Sequence, residues 1–186
     1  MTQTATVPAL KEWSAVVQAL LDGRQTVLLR KGGIHEKRFD VAADEFVLFP
    51  TVAHSHTERV RPEHRDMLTA AAADSTDDRL VVRAAAKVVA ALPVNRPEHL
   101  EAIEDLHIWT TASVRADRLD FRPKHRLAVL VVQAIPLAEP VTLARTADYA
   151  GCTSWVQVPI TPRLASPVYD KAVLARIAAR VRDAVG

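Results

Sequence analysis

Cysteine occurs once, at Cys152, so no intrachain disulfide is possible and a multi-cysteine zinc site is excluded. Apolar runs are short. The best of them, Leu127 to Val132, falls far below the ~20 residues a membrane helix needs, and no membrane association is expected. The first residues, Met1 to Val7, lack a basic start followed by an apolar stretch, so no signal peptide is expected and the chain reads as cytoplasmic. Net charge is low as well, +2 over 186 residues, too little by itself to imply a polyanionic partner. No glycine-rich phosphate loop follows a strand and no Gly-Lys-Ser/Thr occurs, which argues against a Walker loop and against doubly wound nucleotide-binding folds. What is present is an ordinary globular balance, 49% hydrophobic and 25% charged. That length and balance predict one globular domain over residues 8–186, after a flexible N-terminus at residues 1–7.

Leu10, Trp13, Val17, Leu20 and Leu21 recur at three- and four-residue spacing, with Val16 adjoining, and predict a helix. Pro8 suits its first turn and Gly23 its stop. Strands are expected at Gln25 to Arg30, ended by the Gly32-Gly33 turn, and at Phe46 to Phe49, closed by Pro50. Pro62 opens a helix running into Ala71 to Ala73. In Leu80 to Leu92 alanines favour helix and valines favour strand; strand is the expectation, though periodicity does not decide. A short helix, Pro97 to Leu106, precedes a long polar segment, His107 to His125. Leu127 to Ile135 then reads as a central strand buried on both faces and packed against the first helix. Ser154 to Pro159 makes a short strand. Ser166 and Pro167 open a last helix that buries Val173, Leu174, Ile177, Val181 and Val185. No regular βαβ alternation appears. The expected fold class is α+β, a mixed, curved or barrel-like sheet flanked by N- and C-terminal helices.

Charge clusters even though it cancels in total. Arg24, Arg30, Lys31, Lys37 and Arg38 face only Asp22 and Glu36 in the first basic segment. Arg115, Arg118, Arg122, Lys124 and Arg126 face Asp117 and Asp120 in the second. Gly32-Gly33 reads as a hairpin turn, a geometry that also presents backbone N–H groups to a phosphate. Trp109, just before the second cluster, and Trp155 read either as core residues or as faces on which a base stacks. Trp13 belongs to the buried stripe of the first helix. His54-Ser55-His56, read as a strand, puts two histidines on one side; with Glu58, Glu63 and His64 no recognised ligand spacing results, and no metal is expected. His54 is kept as a polar site residue. Cys152 reads as a small residue beside a strand and not as a nucleophile. No cofactor is expected.

Several of these segments together resemble one family. Ala9-Leu10-Lys11-Glu12-Trp13, the stretch Gly23 to Ile34, Phe46 to Thr51 with His54, His107-Ile108-Trp109-Thr110, Arg122 to His125, and Tyr149 to Val156 are similar to the Domain of Unknown Function 1802 family of bacterial proteins. That resemblance implies a single-domain bacterial protein and carries no activity. The helix ending in glycine followed by a strand ending in arginine also resembles the Gly-x-Lys-x-x-Glu-x-Arg motif of ASCH domains, which are PUA-like β-barrels associated with RNA or nucleotide binding. Gly23 and Arg30 sit at matching positions; Gln25 and Leu28 replace the lysine and the acid, so the part linked to activity in the enzymatic members is lost.

The leading expectation is a module binding RNA, single-stranded nucleic acid or a nucleotide. Arg30, Lys31, Lys37, Arg122 and Lys124 would neutralise phosphates, Trp109 or Trp155 would stack a base, and His54 would lie nearby. One alternative is a small hydrolase or nuclease with His54 or His107 as general base. Another is a protein-interaction domain with solvated basic clusters. The sequence sets no oligomeric state. Geometry separates the readings: binding requires both basic clusters and an exposed aromatic at one place.

Overall fold

Two long strands form the backbone of the fold. In the computed structural model, which describes residues 4–32, 39–52 and 56–186, β4 (Arg79–Pro93) pairs antiparallel with β5 (Leu127–Ala144) along nearly its whole length. β2 (Val27–Lys31) pairs antiparallel with the outer side of β5. On the other side β3 (Glu45–Thr51) pairs antiparallel with β4, and β1 (Val7–Trp13) lies parallel to β3 and antiparallel to β6 (Trp155–Val158). The result is a mixed six-stranded sheet in the order β2-β5-β4-β3-β1-β6. Leu127 to Ile135 is therefore an interior strand, as its apolar run predicts.

One sheet face carries α1 (Ser14–Leu21) and α5 (Lys171–Val185); Val16, Val17 and Leu20 share a core there with Leu130, Val132, Leu174 and Val181. The opposite face buries Val47, Phe49, Leu80, Val82, Tyr149 and Val158. Both faces are covered, so strand residues alternate between two cores. Ala84 and Ala86 belong to the first core and Ala85 to the second. The register shift between Val82 and Ala84 moves the even-numbered residues of β4 from one face to the other.

No ladder joins β2 to β6 among the described residues, so the sheet is open. It is nevertheless strongly curled. Arg30, on edge strand β2, donates to the Lys11 carbonyl of β1 at 3.1 Å, although three strands separate β2 from β1 in the sheet order. Among the described residues, no helix is long and apolar enough to cross a membrane.

Several local expectations are corrected. The first predicted helix is half strand: Leu10 and Trp13 lie on β1, Pro8 sits inside that strand, and only Ser14–Leu21 is helical. The cause is that β1 is buried on both faces, Ala9 in one core and Leu10 in the other, so its period of two is hidden. Pro50 lies within β3 rather than closing it, beyond the residues that pair with β4. α5 begins at Lys171, where Asp170 caps it by accepting the Val173 N–H at 2.8 Å; upstream, the Val168 N–H is bound to Ala134 of β5 and the chain is not helical. The polar segment contains α4 (Thr111–Val114) and a turn of π-helix (Arg115–Asp120). Of His54-Ser55-His56 only His56 is described, and it opens α2 (His56–Arg59); His54 and Ser55 lie outside the described residues. The stretch that Pro62 opens ends in α3 (Leu68–Ala72).

Gly23 does end α1, with φ +76°, and the Tyr169 hydroxyl donates to its carbonyl at 2.7 Å. A Cβ there would stand 3.1 Å from that hydroxyl oxygen. Gly23→Ala is expected to destabilise the fold by about 1–2 kcal/mol, from the left-handed backbone and the crowded tyrosine. An unchanged urea midpoint would count against this reading.

Candidate functional site

β2 and the π-turn come from segments about ninety residues apart, yet they form the two walls of one cleft. It has a volume of about 220 Å³ and is lined by Leu29, Arg30, Lys31, Gly32, Asp117, Arg118, Phe121 and Arg122. The walls are tied by side chains reaching across. Lys31 Nζ donates to the Arg118 carbonyl at 2.7 Å and to the Phe121 carbonyl, capping the C-terminal end of the π-turn. Arg118 Nε returns a hydrogen bond to the Leu29 carbonyl at 3.2 Å. The His125 ring donates from Nδ1 to the Gly32 carbonyl at 3.2 Å, which holds the second basic loop against the end of β2; Gly33, the other residue of the expected turn, lies outside the described residues.

The charges in this cleft have different surroundings. Arg30 donates to Glu12 Oε2 at 3.1 Å and lies 4.8 Å from the Phe39 ring centroid. Asp117 is held at 3.1 Å by Arg59. Lys31, Arg118 and Arg122 form no ion pair among the described residues. The Lys31 pKa is lowered from its ordinary value, first by burial and then by neighbouring Arg118, with Asp120 opposing. The Arg118 pKa is lowered first by burial; Arg30 and Arg59 act in the same direction, while Glu12 and Asp117 oppose them. A guanidinium keeps its charge through such a shift, so Arg118 remains a half-buried cation set among charges of both signs.

The mouth carries the unusual backbone. Arg122 adopts φ +51°, the left-handed region uncommon for a side-chain-bearing residue, and its guanidinium lies 4.9 Å from the Phe121 ring centroid. Phe121 is 57% exposed. Phe121 thus presents an exposed aromatic ring, with Arg122 against it, beside the basic cleft.

Of the residues expected from sequence, Arg30, Lys31 and Arg122 meet here. Lys124 is exposed and next to His125, outside the cleft lining. Lys37 and His54 lie outside the described residues. Trp155 is half-buried; its indole donates to the Asp40 carbonyl at 3.0 Å and stacks on Phe39, so it adjoins Arg30 only through that ring. Trp109 requires a correction. It is 6% exposed and meets Trp13 edge-to-face at 4.6 Å, so its ring belongs to the core and offers no free face. His107 is also buried, 2% exposed, and its Nδ1 accepts the Trp109 N–H at 3.1 Å, which removes it from any accessible general-base position. Arg24 turns away from the cleft to a bidentate pair with Asp66.

Sequence reasoning missed Phe121 at the mouth of the cleft and Glu12 as the buried counter-charge of Arg30. The signal for Phe121 was present, an aromatic inside the basic run Arg118 to Arg122. Glu12 carried no signal of its own beyond its place in the segment Ala9 to Trp13.

The family described as a domain of unknown function, DUF1802, matches residues 9–180. No curated protein matches the chain. Among solved structures, a crystal structure of a point mutant of ZmASCH from Zymomonas mobilis matches with a TM-score of 0.46 and 11% identity, over 92% of this chain and 94% of that chain.

Proposed function

For a chain that belongs to the DUF1802 family, we propose a binding function: the cleft between β2 and the π-turn takes a phosphate of single-stranded RNA, other single-stranded nucleic acid or a nucleotide. The observation that carries this reading is the meeting of Arg30, Lys31, Arg118 and Arg122 in one cleft with Phe121 exposed at its mouth. Cations supply the phosphate contacts, and the aromatic supplies a face that any base can use. The cleft is smaller than the ~300–1,000 Å³ of pockets that enclose a whole small molecule. It accommodates one phosphate-bearing unit and leaves the base outside, against Phe121.

Single-stranded RNA titrated at several salt concentrations tests this. Each phosphate contact contributes a slope near ~0.7 in log affinity against log salt. Arg122→Ala is expected to weaken binding to all sequences and reduce the slope by about one contact. Phe121→Ala is expected to weaken binding by roughly 5- to 100-fold and leave the slope nearly unchanged. Affinity no better than that of an unrelated protein of similar charge would end the nucleic-acid reading.

A further inference from the structure

The two walls of the cleft are bridged by the bonds from Arg118 to Leu29 and from Lys31 to the Arg118 and Phe121 carbonyls. Beside it, sharing Asp117 and Arg118 with it, lies a crevice of about 10 Å³ between Trp13, Trp109, Ser113 and Val114, at the lower limit for a single water. A chain passing between β2 and the π-turn would have to break the bridging bonds, whereas a strand end seated from outside would not.

The charge points the same way. Among the described residues Asp117 is the sole carboxylate in the lining, and Arg59 already pairs with it. Arg30 is matched by Glu12. Lys31, Arg118 and Arg122 remain, more positive charge than the single negative charge of an internal phosphodiester balances. A phosphomonoester carries about −1.5 to −2 at neutral pH and presents three acceptor oxygens. Those oxygens suit the guanidinium forks of Arg118 and Arg122 on one wall and the Lys31 ammonium on the other.

Resting on the binding reading above, we infer that the group seated in the cleft is a phosphomonoester dianion, the terminal phosphate of a single strand or of a free nucleotide, and not a phosphodiester within a chain. The first base or sugar then lies on Phe121 at the mouth.

The test is competition binding by fluorescence anisotropy on the full chain. The probes are one short RNA with a 5′-phosphate, the same RNA with a 3′-phosphate, the same RNA with hydroxyls at both ends, its circular form, a nucleoside monophosphate and inorganic phosphate. At least one end-phosphorylated RNA is expected to bind about ten-fold tighter than the hydroxyl-ended and circular forms. In Arg122→Ala that preference should fall to about two-fold or less. Arg122→Gly, which accepts φ +51° without strain, should show the same loss and separates charge from backbone. A monophosphate that competes as well as the phosphorylated RNA identifies a free nucleotide as the source; a much weaker one identifies a chain end. Inorganic phosphate competing equally well would deny a role to Phe121 and overturn the seating described here. Equal binding of all four RNA forms overturns the end-phosphate inference and leaves nucleic-acid binding intact. Failure of every RNA and nucleotide to bind overturns both.

Discussion

Arg30→Ala is expected to destabilise the protein by about 3 kcal/mol, the low end of what removing one partner of a buried ion pair costs. Arg30 and Glu12 side chains are 15% and 6% exposed, and the guanidinium also serves the Lys11 carbonyl. Without it, Glu12 keeps the Trp13 N–H at 2.9 Å but loses its cation, and β2 loses its bond to β1 across the curled sheet. Arg118 stands near enough to Glu12 to offset part of the loss, which sets the estimate at the low end. Arg30→Ala combined with Glu12→Gln should recover part of the stability, since no uncompensated carboxylate is then buried. Arg24→Ala is the internal control. Its partner Asp66 is 62% exposed, and an exposed pair is worth ~0–1 kcal/mol. Urea denaturation of the four proteins decides the matter. Equal losses for Arg30→Ala and Arg24→Ala would show that the Glu12–Arg30 pair carries no structural weight.

That result bears on how the basic surface is read from sequence. Arg30 and Lys31 were legible as cations at a strand end, while their meeting with the second basic segment was a condition of the binding reading that residue order does not decide. What the residue order does not reveal is how each cation is already occupied. Arg30 is bound to a carboxylate and Lys31 to two carbonyls, so Arg118 and Arg122 are the better candidates for ligand contact. Arg118 gains its position from the π-turn, whose six residues carry no pattern distinct from a polar loop.

The sheet shows the same division. β5 was legible because its apolar run admits few alternatives; in β4 alanine and valine point opposite ways and periodicity does not decide, so the strand expectation there stood on the valines alone. β1 was not, because two covered faces erase the alternation that marks a strand, while Leu10, Trp13 and Val17 happen to fall at helical spacing. Trp109 was ambiguous for a different reason. It stands at the head of a polar segment, between Ile108 and Thr110, and the approach of Trp13 from β1 covers its ring.

His107 gives a second large effect, on pH dependence. Burial first, and then the charge of Arg61, push its pKa down to about 4, with Asp105 opposing and His64 adding slightly to the fall. Because Nδ1 accepts the Trp109 N–H, the neutral ring carries its proton on Nε2. In the unfolded chain the same ring titrates near its ordinary value of 6.5. Between these two values the unfolded state binds a proton that the folded state refuses, so stability falls as pH falls from 6.5 towards about 4 and is independent of this group above that window. The gap corresponds to a loss of roughly 3 kcal/mol. His107→Asn places an amide oxygen near the position of Nδ1, keeps the acceptor and cannot titrate. Urea unfolding at pH 7 and at pH 4.5 is expected to show the parent losing roughly 2–3 kcal/mol more than the variant over that interval. Exposed Asp66, Asp78 and Glu63, whose pKa values are also lowered, contribute equally to both proteins and cancel in the difference. Parallel pH curves for parent and variant would mean that His107 charges in place, and that the core around Trp109 admits water.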